Sequence, residues 1–292
     1  MPNSHVELCR VTTKDGLLLD GALRVPEERT SQLPVDACLL VHGTGSNFTA
    51  PGLMETYALQ ALDAGIASLR VNTRGHDLMA RIPTEKGSIL GGAAYEHIDE
   101  CRHDLTAWID FLKERGYRRI ALVGHSMGGV KSIFTVTKSS DAPVACLIAM
   151  SPPRFSHGAF QRHKLAGQFR EDFRRADALV GRGEGETLLQ VRQPMPLVMP
   201  ASGFVAKYGP HDNFDIMRLL PHLRCPALVM IGTESARNSA AFDGLTEALR
   251  KMAAEKPWLT VQAVEGADIS YAGHLAEPFE RSIEWMRTAV TR

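Results

Sequence analysis

One turn constrains this chain more than any other segment. Residues 118–134 read RRIALVGHSMGGVKSIF. An aliphatic run ends at Val123, Gly124 and Gly128 flank Ser126, and apolar residues resume afterwards at helical spacing. The pattern predicts a strand, a tight turn with Ser126 at its apex, and a helix. A serine held there takes a strained conformation that pushes its hydroxyl out at the strand's carboxyl end, and small neighbours let other backbone come close. A chain built around such a turn needs strands and helices in alternation.

The rest of the sequence supplies them. VELCRVTT alternates, turns through Lys14-Asp15-Gly16 and continues as LLLDGALRV, which is a strong hairpin signal. Short aliphatic runs follow at Ala37–Val41, Ala67–Val71, Ile120–Val123 and Val144–Met150, with later ones at Ala227–Ile231 and Leu259–Val264. Each has the length of a buried parallel strand. Between them lie helical patterns. Ile98, Cys101, Leu105, Trp108, Ile109 and Leu112 mark one, Phe242, Leu245, Leu249 and Met252 a second, and Phe279, Ile283 and Met286 a third. This alternation predicts an α/β fold with one core: an open, mostly parallel sheet covered by helices on both faces.

The core is expected in two parts, residues 1–151 and 224–292. Residues 152–223 interrupt it with QRHKLAGQFREDFRRAD, a GRGEGE spacer and the proline-broken QPMPLVMP. A long insertion between sheet strands is read as a cap over a pocket.

Charge narrows the function. With 33 basic and 33 acidic residues, no global field favours nucleic acid or an anionic membrane. No apolar run is long enough to span a bilayer, and MPNSHVELCR lacks the blocks of a signal peptide. Five cysteines without CxxC spacing point to a reduced, cytoplasmic protein with buried thiols and no metal site. The expected partner is a small-molecule substrate, with a homodimer left open.

Ser126 is the expected nucleophile, and the helix start at Met127 offers free N–H groups to a developing oxyanion. A second glycine-bearing loop, HGTGSN at residues 42–47, follows the strand at Ala37–Val41. These features, with RVNTRGHD after the next strand, make the chain resemble the α/β-hydrolase superfamily over nearly its whole length. The resemblance implies about eight strands, an active site at their carboxyl ends, no organic cofactor and no metal. Within the superfamily the chain looks most like small esterases. The resemblance implies that the amide of Thr44, or of Gly45, pairs with that of Met127 as an oxyanion hole, with His42 and Gly43 beside it.

Two positions depart from the family pattern. The acid usually lies in a G-x-x-D turn, which here reads Gly232-Thr233-Glu234-Ser235, so Glu234 becomes the candidate acid. The base usually closes a GADH-like turn, but GADISYAGH places Ile269 there and offers a histidine only at His274. Five residues span about 7.5 Å as helix and about 17 Å extended, so His274 serves as base only if the loop takes another path. His76, on NTRGHD with Arg74 and Asp77, is the alternative proton carrier. His125 and His42 are expected to turn into the structure, and Tyr95 and Glu96 to approach the site.

The leading expectation is a serine hydrolase of a small or medium ester, lactone or thioester. The alternative is a non-hydrolytic lyase, cyclase or epimerase on the same scaffold, followed by a non-catalytic ligand-binding member.

Overall fold

The structure is a computed structural model, and it describes residues 5–28, 32–139 and 144–290. The strands are β1 (Val6–Thr12), β2 (Leu18–Arg24), β3 (Ala37–Val41), β4 (Ala67–Val71), β5 (Ala80–Thr84), β6 (Gly87–Gly91), β7 (Ile120–His125), β8 (Val144–Met150), β9 (Leu188–Val191), β10 (Leu197–Pro200), β11 (Ala227–Gly232) and β12 (Leu259–Val264). Eight of them form one sheet in the order β1-β2-β4-β3-β7-β8-β11-β12. The β1–β2 and β2–β4 pairs are antiparallel, and the others are parallel.

The central strands β3, β7, β8 and β11 are buried on both faces along almost their whole length, which is why they read as aliphatic runs. Leu39, Leu122 and Val229 face one core cluster, while Leu40, Val123 and Leu228 face the other. The first face is covered by α2 (Cys101–Glu114), α3 (Met127–Lys138) and α9 (Leu245–Glu255), and the second by α1 (Leu53–Asp63) and α10 (Glu277–Ala289). Trp108 of α2 is fully buried, and its indole N–H donates to the Asn72 carbonyl at 2.9 Å. Such a ring stabilises by about 3–5 kcal/mol relative to alanine.

Between β8 and β11 the chain leaves the sheet through α4 (His157–Arg162), α5 (Ala166–Gly181), the β9–β10 hairpin, α6 (Ala201–Tyr208) and α7 (Ile216–Leu219), and α8 (Thr233–Asn238) follows β11. Phe160, Phe169, Phe204 and Tyr208 stack here with ring centroids 5.0 to 6.2 Å apart. The buried Asp172 of α5 accepts from the Arg192 amide at 2.8 Å and from its guanidinium at 2.7 Å, fastening helix to hairpin. This segment shares its apolar cluster with one face of the sheet.

Candidate active site

Ser126 sits between β7 and α3 with φ 52° and ψ −118°. A non-glycine residue in that region costs about 1–3 kcal/mol, and its neighbours enforce it. A Cβ on Gly124 would lie 2.4 Å from the Gly128 carbonyl oxygen, and one on Gly128 only 2.2 Å from that of Val41. The Ser126 amide donates to the Met150 carbonyl of β8 at 2.8 Å, and the Ser126 carbonyl accepts from Gly129 at 3.0 Å. Sequence alone therefore builds a serine hydroxyl raised at the sheet's carboxyl edge.

The loop after β3 closes over this turn. A Cβ on Gly43 would lie 3.2 Å from that of Ser126. His42 is buried, donates from Nδ1 to the Gly43 carbonyl at 2.8 Å and accepts the Thr73 amide at Nε2 at 3.2 Å. Burial, reinforced by the Lys131 ammonium, pushes His42 down to about 3, so it stays neutral and braces the loop. Lys131 of α3 donates to Thr73 Oγ1 at 2.9 Å and forms a buried ion pair with Glu96.

Ser126 and Thr44 line a cavity of about 250 Å³ together with Glu234, Ser235, Asp268 and Ile269. Pro153, Phe155, Met195 and Phe242 make its wall apolar. Pro153, Phe155 and Met195 come from the segment between β8 and β11. The titratable side chains in the lining are Glu234 and Asp268. A larger depression of about 800 Å³, bordered by charged residues such as Arg10, Arg102 and Asp110, does not include Ser126.

His274 is not brought to this cavity. Among the described residues, the lining carries Ile269 but no histidine. The cause is local. Asp268 Oδ1 accepts the amides of Ser270 at 2.9 Å and Ala272 at 3.1 Å, winding the loop into a turn. Tyr271 then adopts φ 55° and Gly273 φ 78°. His274 ends at the start of α10, where Nδ1 pairs with Glu277 Oε2 at 3.0 Å.

The turn sends Tyr271 into the core instead. Its ring is fully buried, and its hydroxyl accepts from Ser151 Oγ at 3.1 Å and donates to the Met230 carbonyl at 3.3 Å. Ser151 Oγ in turn accepts the Gly232 amide at 3.3 Å. A neutral hydroxyl pair thus fills the space between the ends of β8 and β11. Burial holds the phenol protonated.

The other expected residues divide. His125 Nε2 donates to the Ile269 carbonyl at 2.6 Å, tying the loop after β12 to the serine turn, and burial lowers its pKa. His76 Nδ1 pairs with Asp77 Oδ2 at 2.8 Å, and Asp77 Oδ1 accepts from Asn47 at 2.7 Å. Arg74 is anchored on the fully buried Asp104, with Nη2 to Oδ1 at 2.8 Å. That turn is a brace, and neither His76 nor Tyr95 lines the cavity. Ser235, which stands at the usual acid position, lines the cavity, and Asp268 and Phe155 went unnoticed in the sequence. Asp268 lies one residue before the usual base position, a signal hidden by the search for a histidine.

Comparison with known proteins agrees with the architecture. The family model described as Alpha/beta hydrolase family matches residues 38–285. The chain belongs to this family. Among solved structures, the alpha/beta hydrolase GrgF from Penicillium sp. sh18 is similar with a TM-score of 0.69 at 15% identity, covering 98% of this chain and 99% of its own. The Pyrococcus furiosus esterase PF2001 is similar with a TM-score of 0.64 at 16% identity, over 99% and 92%. Est1E from Butyrivibrio proteoclasticus gives 0.63 at 16% identity, over 96% and 97%. Identities this low establish the shared fold alone. Among curated proteins, none matches this chain.

Proposed function

We propose that this α/β hydrolase is a serine-nucleophile enzyme acting on small, partly apolar acyl compounds with good leaving groups, such as thioesters, aryl esters and strained lactones. The single observation that carries this reading is Ser126 held at φ 52° at the start of α3 and opening on an apolar-walled cavity. The Ser126 hydroxyl adds to the acyl carbon, and the Thr44 and Met127 amides receive the developing oxyanion. The chain's 152–223 segment serves as the cap that shapes the acyl pocket.

The proton passes to a carboxylate. Asp268 is taken as the acceptor, because it lines the cavity with Ser126 and two backbone amides fix its Oδ1. Glu234 keeps the role of a second charge beside it. As the tetrahedral adduct collapses, the bond to the leaving group breaks and a thiolate or phenolate departs without needing a proton. An alkoxide or amine would need a general acid, which the imidazole of a working triad supplies. The carboxyl group gives the serine proton to solvent, and the carboxylate so restored deprotonates a water that attacks the acyl carbon, after which the second adduct expels the Ser126 oxygen. The acid is released, and the proton returns to Ser126.

A second reading, a non-hydrolytic enzyme on the same scaffold, is favoured by one observation. Ile269 lines the cavity, and among the described residues no imidazole does.

Intact mass after exposure to a fluorophosphonate probe separates the two. Labelling is expected in the wild type, absent in Ser126→Ala, unchanged in His274→Ala and slowed about 100-fold in Asp268→Asn. An unlabelled wild type contradicts the serine reading and supports the non-hydrolytic one.

A further inference from the structure

Two ammonium groups, Lys131 and Lys207, lie buried in the neighbourhood of one carboxylate, Glu96. Lys131 is satisfied by its ion pair with Glu96 and its bond to Thr73. Lys207 is not. It sits on α6, only 6% exposed, with Nζ over the rings of Phe155 at 5.0 Å and Tyr208 at 5.2 Å from their centroids. Among the described residues, no carboxylate oxygen lies within 4.0 Å of Nζ and no acceptor takes its protons. Ring faces stabilise an ammonium less than a paired anion does, and the Nζ atom, though its side chain is mostly buried, keeps contact with solvent. What this group lacks is an anion.

Phe155 connects that deficit to the cavity. Its ring supports the Lys207 ammonium and also lines the space above Ser126. Burial pushes Lys207 down to about 8, with Glu96 favouring its charge and Lys131 opposing it. The group is still mostly charged at neutral pH.

We infer that Lys207 is a binding site for a carboxylate carried by the acyl compound in the Ser126 cavity, reached when the Phe155 ring turns aside. The inference rests on the serine reading for its substrate, which becomes a half-ester or half-thioester of a short dicarboxylic acid. The neutral end lies against the apolar wall near Ser126, and the charged end pairs with Lys207.

Isothermal titration of the full chain with monomethyl glutarate tests the site without requiring turnover. Wild type is expected to bind. Lys207→Met should weaken binding at least about tenfold, and Lys207→Arg should retain it. Thermal unfolding checks that Lys207→Met is folded, and Lys207→Gln makes the same comparison if it is not. Equal affinity in wild type and Lys207→Met, or no binding by wild type, overturns the site. In parallel, acylation of Ser126 is followed with 4-nitrophenyl butyrate and with the 4-nitrophenyl half-ester of glutarate. Lys207-dependent binding without acylation by either ester upholds the anion site and removes the serine chemistry. Acylation by the neutral ester without Lys207-dependent binding does the reverse.

Discussion

Ser126 and Lys207 are both held in states that cost free energy, one by backbone strain and one by burial of charge. For Lys207 the cost depends on pH. Its pKa is lowered to about 8 in the folded chain, against about 10.4 for an unfolded lysine. Between those values the unfolded chain binds the extra proton, so this group's contribution to stability rises with pH. The groups that face it are Glu96, Lys131 and the Tyr208 phenol, which burial keeps protonated. Lys207→Met should therefore melt at or above the wild-type temperature at pH 7, with the difference shrinking by pH 9.5. A difference that grows over that range would mean the ammonium is stabilised in place. Nothing in the sequence near Lys207 signals this, because its partners come from residues around 96, 131 and 155. Ser126, by contrast, was legible, because the glycines that permit its strain are its sequence neighbours.

At the scale of elements, the loop after β12 decides what chemistry is open to the site. The Asp268 turn and two residues at positive φ carry the chain from Ile269 on the cavity wall, through buried Tyr271, to His274 just ahead of α10. Tyr271→Phe should lower stability by about 1–2 kcal/mol, since Ser151 Oγ loses its acceptor in a buried place. Chemical denaturation checks this, and an unchanged midpoint would show that the hydroxyl pair contributes nothing. The spacing of GADISYAGH could not reveal this path, because residue count does not encode positive φ. The central strands were legible because parallel strands buried on both faces read as aliphatic runs, and β1 and β2 because they alternate about an Asp-Gly turn. The β5–β6 and β9–β10 hairpins were not. The first exposes Ile89 and Leu90, the second includes Pro200, and neither carries a clean alternation.

For the molecule as a whole, the sheet supplies the frame and the segment between β8 and β11 contributes to the cavity wall. The family gives this chain its fold, while among the described residues the cavity is lined by two carboxylates and no imidazole. In the reading proposed above, Ser126 is acylated without a histidine base. The most direct test is the pH dependence of the 4-nitrophenolate burst from 4-nitrophenyl butyrate, measured from about pH 5.5 to 8.5 across the range in which imidazole titrates. The expected result is a burst lost in Ser126→Ala, with no step near pH 6.5 and the same profile in His274→Ala. A step near pH 6.5 that disappears in His274→Ala would contradict it and restore a histidine to the site.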